Sequence, residues 1–272
     1  MLSQRIVTAA VLVALLLGGL LAGDQKLWAL LLGGFVSIAA WEWSCLAGCR
    51  QVTSRVVYTL LITLVLPCLY IFASPWTAGV VLFGTVWWCV AAIMVFYYQA
   101  GGQPVPASRP ACYLLGCFVL IPAWAGLVGL YPLAQGPALL LLFFIMIFLV
   151  DSTAFFAGRR WGKRKLASRV SPGKTWEGFV AGVLVSLVPA LVYVLYEDVP
   201  APAGVGLVLL CVASAIFSVI GDLFMSVMKR HANVKDSSRI LPGHGGVLDR
   251  IDSITASAPL FTSGLWILEG KL

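Results

Sequence analysis

Charge is what this chain has least of. Only 11% of its 272 residues are Asp, Glu, Lys or Arg, 61% are hydrophobic, and the mean hydropathy is +0.98. No soluble domain carries apolar runs at this density, and no polar stretch is left over to build one. Histidine is almost missing: His231 and His244 are the only two. The seven cysteines (45, 49, 68, 89, 112, 117 and 211) form no CxxC pair. Cys45 and Cys49 stand at helical i,i+4 spacing, but a zinc centre needs more ligands than this. The cysteines read as small apolar packing residues. Alternating segments of about ten residues, the mark of a membrane β-barrel, are also absent.

What is present is helix-length apolar sequence. Roughly 20 apolar residues cross a bilayer as a helix. Nine such stretches are expected, at 5–22, 27–47, 56–73, 78–98, 112–130, 137–156, 178–196, 204–228 and 251–268. The last holds several Ser and Thr and is the least apolar. The first follows Arg5 and has the look of a signal peptide, but eight further spans favour an uncleaved first helix. The expectation is an all-α integral membrane protein, a polytopic helical bundle forming a single domain over 1–272.

The scarce charges are unevenly placed. Sixteen of the eighteen basic residues fall at Arg5 and in alternate loops. These are Arg50 and Arg55, Arg109, seven residues from Arg159 to Lys174, and five from Lys229 to Arg250. Lys26 and Lys271 alone fall on the other side. The positive-inside rule then puts the N-terminus in the cytoplasm and the C-terminus outside. Topology accounts for Arg5, Arg50, Arg55 and Arg109. The two richest loops exceed what orientation requires and suit an anionic substrate or lipid headgroups. Carboxylates gather on the same side: Glu42, Asp151, Glu177, Asp222, Asp236, Asp249 and Asp252. Positive-inside bias does not predict them.

The densest stretch is 226–252, SVMKRHANVKDSSRILPGHGGVLDRID, with five basic residues, three aspartates and both histidines in 27 positions. Cations beside carboxylates and flexible glycines suit a phosphate substrate and a divalent metal. Asp222 and Asp151 sit inside apolar spans near the charged end, where a carboxylate faces a polar cavity or a partner. Asp249 and Asp252 are three apart at the start of the last span, so a helix puts both on one face near its positive end. With Asp222 they form a candidate magnesium set. The alternative is that they pair with Arg250 or Arg239 and cap the helix. Gly245 and Gly246 allow close backbone approach to a ligand, and His244 can donate to a phosphate or orient a carboxylate. In SPGKTWEG, Ser171 reads as a helix N-cap with Pro172 at the first position, and Lys174 beside that N-terminus makes an anion site. The tripeptide GKT is not a P-loop, because the glycine required five positions before Gly173 is Ser168. Glu42, in WEW, either bonds a neighbouring helix or lines the cavity.

These residues resemble the phosphatidate cytidylyltransferases, or CDP-diacylglycerol synthases. The family's pattern is met by Ser226, Lys229, Arg230, Lys235, Asp236, Pro242, His244, Gly245, Gly246, Asp249, Arg250 and Asp252 at the expected spacing. The stretch 151–178 resembles a second family block. It departs from that block at Gly173, where the family commonly has a second basic residue before Lys174. The motifs lie within 110–272; the earlier spans resemble the family only in hydropathy and WEW.

The resemblance implies a nucleotidyltransferase of phospholipid biosynthesis, in which phosphatidic acid and CTP give CDP-diacylglycerol and pyrophosphate. A phosphomonoester's second pKa is about 6, so phosphatidate is largely a dianion at neutral pH and needs little help from a base. Charge neutralisation and in-line positioning become the main demands. By resemblance and position, Asp222 and Asp249 would hold Mg2+, with Asp252 as a third ligand and room for a second cation. Asp151, Lys229 and His244 join Asp222 and Asp249 as catalytic candidates. Lys174, Ser171, Lys229, Arg230, Lys235, Gly245, Gly246 and Arg250 are the substrate-binding candidates. The expected partners are CTP, phosphatidic acid and membrane lipids, not nucleic acid, and a homodimer is compatible with the pattern. The expected location is a bacterial-type cytoplasmic (inner) membrane, with the site facing the cytoplasm. Two other readings stay open: a CTP-dependent polyisoprenol or phytol kinase, and a transporter of an anionic solute. The transporter reading has no inverted repeat and no midplane charge cluster behind it.

Overall fold

The computed structural model describes residues 2–72, 74–243 and 245–270. In chain order the elements are α1 (Leu2–Leu21), α2 (Gln25–Leu46), α3 (Val52–Phe72), α4 (Ser74–Gln99), α5 (Arg109–Leu130), α6 (Gly136–Trp161), β1 (Lys165–Ala167), β2 (Ser171–Thr175), α7 (Trp176–Val185), α8 (Leu187–Tyr196), α9 (Ala201–His231) and α10 (Leu248–Leu268). Among the described residues, seven helical segments are long and apolar enough to cross a membrane: α2 to α6, the α7–α8 pair, and α9. Large apolar side chains such as Leu64, Phe96, Leu195 and Leu209 stand exposed on their outer faces, as lipid-facing residues do.

The helix α10 falls short of that apolarity for a structural reason. It runs through the middle of the bundle, packed along α9, α5 and α4, so protein rather than lipid surrounds it. Its hydroxyls are buried and bonded to helix carbonyls. Thr255 donates to Asp252 O at 2.7 Å, Ser257 to Ser253 O at 2.7 Å, and Thr262 to Gly126 O of α5 at 3.0 Å. Two buried tryptophans are satisfied in the same way: Trp43 Nε1 donates to Cys112 O at 2.8 Å and Trp124 Nε1 to Ala29 O at 3.0 Å, tying α2 to α5. In a bilayer an unmet backbone or side-chain polar group is costly, so these bonds fix the packing.

Two local expectations are corrected. Ser171 and Pro172 do not open a helix. Residues 171–175 form β2, which pairs antiparallel with β1 through Lys165 opposite Thr175 and Ala167 opposite Ser171. The helix begins at Trp176, and its N-cap is Thr175, whose Oγ1 accepts from Gly178 N at 3.2 Å. Lys174 therefore sits on the strand just before the cap. The span expected at 178–196 is also not one continuous helix. It breaks at Ser186, whose hydroxyl turns back to Val183 O at 2.6 Å. Pro189 supplies the cause: it has no N–H for the carbonyl four residues before it, and its ring crowds that turn.

The hairpin is held from two sides. Gln99, at the end of α4, donates to Ser168 Oγ at 3.1 Å and accepts from Arg169 N at 3.0 Å. Arg230, at the end of α9, donates from Nε to Val170 O at 3.4 Å. One end of the bundle thus gathers the hairpin, the end of α9, the loop before α10 and the end of α2.

Candidate active site

At that end two lysines meet two aspartates. Lys174 Nζ lies 2.5 Å from Asp222 Oδ2, with both side chains about a quarter to a third exposed. Lys229 Nζ lies 2.7 Å from Asp249 Oδ1, more deeply buried. Asp249 is held further: its Oδ2 accepts from Ser237 N at 2.8 Å, Ser237 Oγ at 3.0 Å and Gly246 N at 3.1 Å. Its partner is Lys229, not the Arg250 or Arg239 that the sequence offered as the alternative.

Glu42 explains why Asp249 is so firmly placed. Its carboxylate is fully buried. Oε1 accepts from Ser238 Oγ at 2.5 Å and Val247 N at 3.0 Å; Oε2 accepts from Leu248 N at 2.7 Å and, at 3.1 Å, shares the single Ser237 hydroxyl proton with Asp249 Oδ2. Glu42 is thus a cap for α10 donated by another helix. Its charge faces the helix's positive end, and it takes backbone N–H groups that have no carbonyl of their own. Of the two roles open to it in the sequence, it bonds a neighbouring helix.

The glycines serve this packing. Gly245 has φ +81, and a Cβ there would meet Asp249 Oδ2 at 2.9 Å. A Cβ on Gly246 would overlap Ser237 Oγ and come within 2.6 Å of both Glu42 oxygens. The room the two residues leave is filled by the carboxylates Asp249 and Glu42. His244, between them and Pro242, lies outside the described residues.

Two further carboxylates complete the cluster. Asp252, one turn beyond Asp249 and buried, accepts from Ser253 N at 2.9 Å. It lies within electrostatic reach of Asp222, Lys229 and Asp151. Asp151 reaches in from α6, and its Oδ1 accepts from Ser253 Oγ at 3.3 Å. The crossing of α9 and α10 is close enough that a Cβ on Gly221 would overlap the Asp252 carbonyl.

Against this polar cluster opens an apolar cavity of about 310 Å3. Leu12 and Leu16 of α1, Phe35 of α2, Trp124 of α5 and Phe144 and Phe148 of α6 line it, and Asp151, Asp249, Arg250 and Asp252 stand at its polar end. The first helix packs mainly on α2 and is pinned at this end by Thr8, which donates to Pro242 O at 3.3 Å. One space therefore joins hydrocarbon-compatible walls to three carboxylates and the Arg250 guanidinium.

Residues 3–268 match the Cytidylyltransferase family. The chain belongs to that family. A protein of Pseudomonas aeruginosa named phosphatidate cytidylyltransferase is 43% identical over 270 residues, which cover 98% of this chain and 97% of that protein. One of the same name from Haemophilus influenzae is 38% identical over 282 residues, covering 96% and 98%. A third, from Bacillus subtilis, is 45% identical over 115 residues, or 42% of each chain.

Among the cytidylyltransferase motif residues, the structure brings together Asp151, Lys174, Asp222, Lys229, Gly245, Gly246, Asp249, Arg250 and Asp252. Others lie further out. Lys235 is exposed on the loop before α10, and Ser171 is at the far end of β2 from Lys174. Arg230 spends its Nε on the hairpin. The motif reading missed Ser237, Ser238 and Ser253, which place the carboxylates. Their only signal was hydroxyl residues beside acidic ones in a chain with only 11 Asp and Glu.

The donor set can be weighed against a metal. Among the described residues no three carboxylates, histidines or cysteines converge as a ready-made ligand group. Asp222 and Asp249 each carry a lysine ammonium, and Asp151 and Asp252 are bonded to Ser253 instead. Magnesium is commonly held by one or two carboxylates with the rest of its shell from substrate phosphates and water. The residues fit a hard cation of that kind and do not form an all-protein cage.

Proposed function

We propose that the protein is a CTP:phosphatidate cytidylyltransferase, which transfers CMP from CTP to phosphatidic acid and releases pyrophosphate. The observation that carries this reading is the opening of the apolar cavity onto Asp151, Asp249, Arg250 and Asp252, with Lys229 paired to Asp249 behind them. A lipid phosphate needs hydrocarbon walls below and cations above; a nucleotide needs the same cations from the water side. The near-full-length relatives support the same reaction.

In this reading an acyl part of phosphatidate lies along Leu12, Leu16, Trp124 and Phe148, which brings its phosphate to the polar end beside Arg250. Lys174 and Lys229 neutralise phosphate oxygens of the nucleotide, and the chemistry is chiefly positioning and charge neutralisation. Asp222 and Asp249 would hold magnesium, which when bound would supply positive charge against the phosphate oxygens. Asp151 and Asp252 add carboxylate charge to that position. Glu42, Ser237 and Gly246 hold Asp249 in place. Every group named comes from one copy of the chain.

The reading sets the nine hydrophobic segments across a bacterial inner membrane, with the N-terminus and the site on the cytoplasmic side. The basic loops at the site end of the bundle support that orientation. Purified protein given CTP, phosphatidate and Mg2+ should form CDP-diacylglycerol, and Asp222→Asn and Asp249→Asn should each abolish it. Formation of a phosphorylated alcohol with release of CDP would instead mark a lipid kinase. Undiminished activity in both Asn variants would refute the metal assignment.

A further inference from the structure

We propose that the outer face of α6 and α7 carries a docking groove for an anionic phospholipid, held through its headgroup phosphate. The basic run Arg159, Arg160, Lys163, Arg164 and Lys165 has no part in the proposed reaction. All five residues are exposed, and among the described residues none of them enters an ion pair. Beside this run opens a groove of about 580 Å3. Lys163 and Arg164 line one end of it, and Trp176, Val180 and Leu184 line the rest. It shares no lining residue with the cavity at the active site.

Two tryptophans set the depth of the groove. Trp161 ends α6 and Trp176 begins α7, and the two helices pack against each other. Their indoles are 64% and 49% exposed, as tryptophans are at the level of the lipid headgroups. From Trp176 the exposed face continues through Val180, Leu184 and Val188 at four-residue spacing. Residues four apart share one side of a helix. This side belongs to Trp176–Tyr196, a segment apolar enough to cross a membrane. Acyl chains therefore cover the apolar part of the groove, and Lys163 and Arg164 stand level with the phosphates.

The loop that carries the two cations is fixed. Glu177, the one carboxylate lining the groove, accepts from Lys163 N at 3.0 Å and from Arg164 N at 3.2 and 3.3 Å. Arg164 O accepts in turn from Trp176 N at 2.9 Å. Gly162 lets the chain turn off α6 at this point, since a Cβ there would overlap Gly158 O and crowd Thr175. Glu177 is thus engaged by main chain, and the charged ends of Lys163 and Arg164 are left to a ligand. Orientation in the membrane requires basic residues on this side; it does not require a pinned loop at the end of an apolar groove. A zwitterionic headgroup would bring an ammonium toward five cations, whereas a headgroup with net negative charge meets them with attraction alone.

The test places the full chain in phosphatidylcholine nanodiscs, without CTP or phosphatidate. A trace of phosphatidylglycerol with a photoactivatable diazirine in one acyl chain is the probe, and phosphatidylcholine with the same chain is its control. After illumination, labelled peptides are mapped by mass spectrometry. Phosphatidylglycerol should label 176–184 about tenfold more than phosphatidylcholine does, and the double variant Lys163→Gln, Arg164→Gln should lose most of that excess. The double variant Arg50→Gln, Arg239→Gln removes equal charge from the same side of the chain and should keep it.

Thermal unfolding followed with a thiol-reactive dye at the buried Cys112 and Cys211 checks that the variants are folded. Should a variant unfold, wild type alone decides: excess labelling of 176–184 by phosphatidylglycerol supports the inference, and equal labelling overturns it. Equal labelling would mark a passive lipid-facing surface. Labelling by neither probe would mean that a second copy or another protein covers the groove, and would also overturn the inference. So would an excess lost as fully in the Arg50, Arg239 variant, because the general positive field would then account for it. None of these outcomes bears on the reaction proposed for the cavity, which CDP-diacylglycerol formation tests separately.

Discussion

Replacing Glu42 by Ala is expected to damage the site from a distance, and the size of the effect follows from four hydrogen bonds. Ser237 Oγ keeps a second acceptor in Asp249 Oδ2 at 3.0 Å, so it is not orphaned. Ser238 is only partly buried and can turn to water. The N–H groups of Val247 and Leu248 have no such recourse. Both residues are buried, at 2% and 0% exposure, and both stand at the start of α10, where no preceding turn supplies a carbonyl. Leaving two buried donors unmet costs roughly 1–3 kcal/mol each, so about 2–6 kcal/mol in all. If half of that loss appears as misplacement of Asp249 during the reaction, activity falls about 5- to 150-fold. The rest lowers the unfolding midpoint by several degrees. Glu42→Gln keeps one acceptor oxygen and turns an NH2 toward the other pair of donors, so it should fall between. The assay is CDP-diacylglycerol formation in parallel with thiol-dye unfolding. Wild-type activity together with a wild-type midpoint in Glu42→Ala would refute the capping role.

Two further outcomes follow from the same geometry. Gly246→Ala should lose activity to a similar degree as Glu42→Ala, because its methyl group must displace Ser237 or Glu42; full activity would mean that the loop can shift without harm. Ala9→Trp, on the cavity wall contributed by α1, should raise KM for phosphatidate while leaving KM for CTP nearly unchanged. An equal rise in both would mean that the cavity does not hold lipid.

The helices were legible because hydropathy is a local property: each apolar run from 5–22 to 251–268 became helix. The site was legible as a list and not as an arrangement. Asp222, Asp249 and Lys229 stood out as charges in an apolar chain, but the bond from Leu248 N to Glu42 joins residues 206 apart, and no periodicity reports such a contact. Local rules also misread the hairpin. Ser171 and Pro172 match the chemistry of a helix start, but β1 offers a pairing partner, and Thr175 makes the cap instead. Ser186 gave no warning beyond Pro189 three residues on. The hydroxyls of α10 made it look like the weakest span; they are there because it is the most enclosed helix.

The central claim is that one site joins CTP to a lipid phosphate through the α-phosphorus. Its most direct test is to give the purified protein phosphatidate and Mg2+ with CTP labelled at the α-phosphate in one reaction and at the γ-phosphate in another. The account predicts α-label in the lipid product and γ-label in released pyrophosphate. Label from the γ-phosphate in the lipid, or no label in lipid from either, would contradict it.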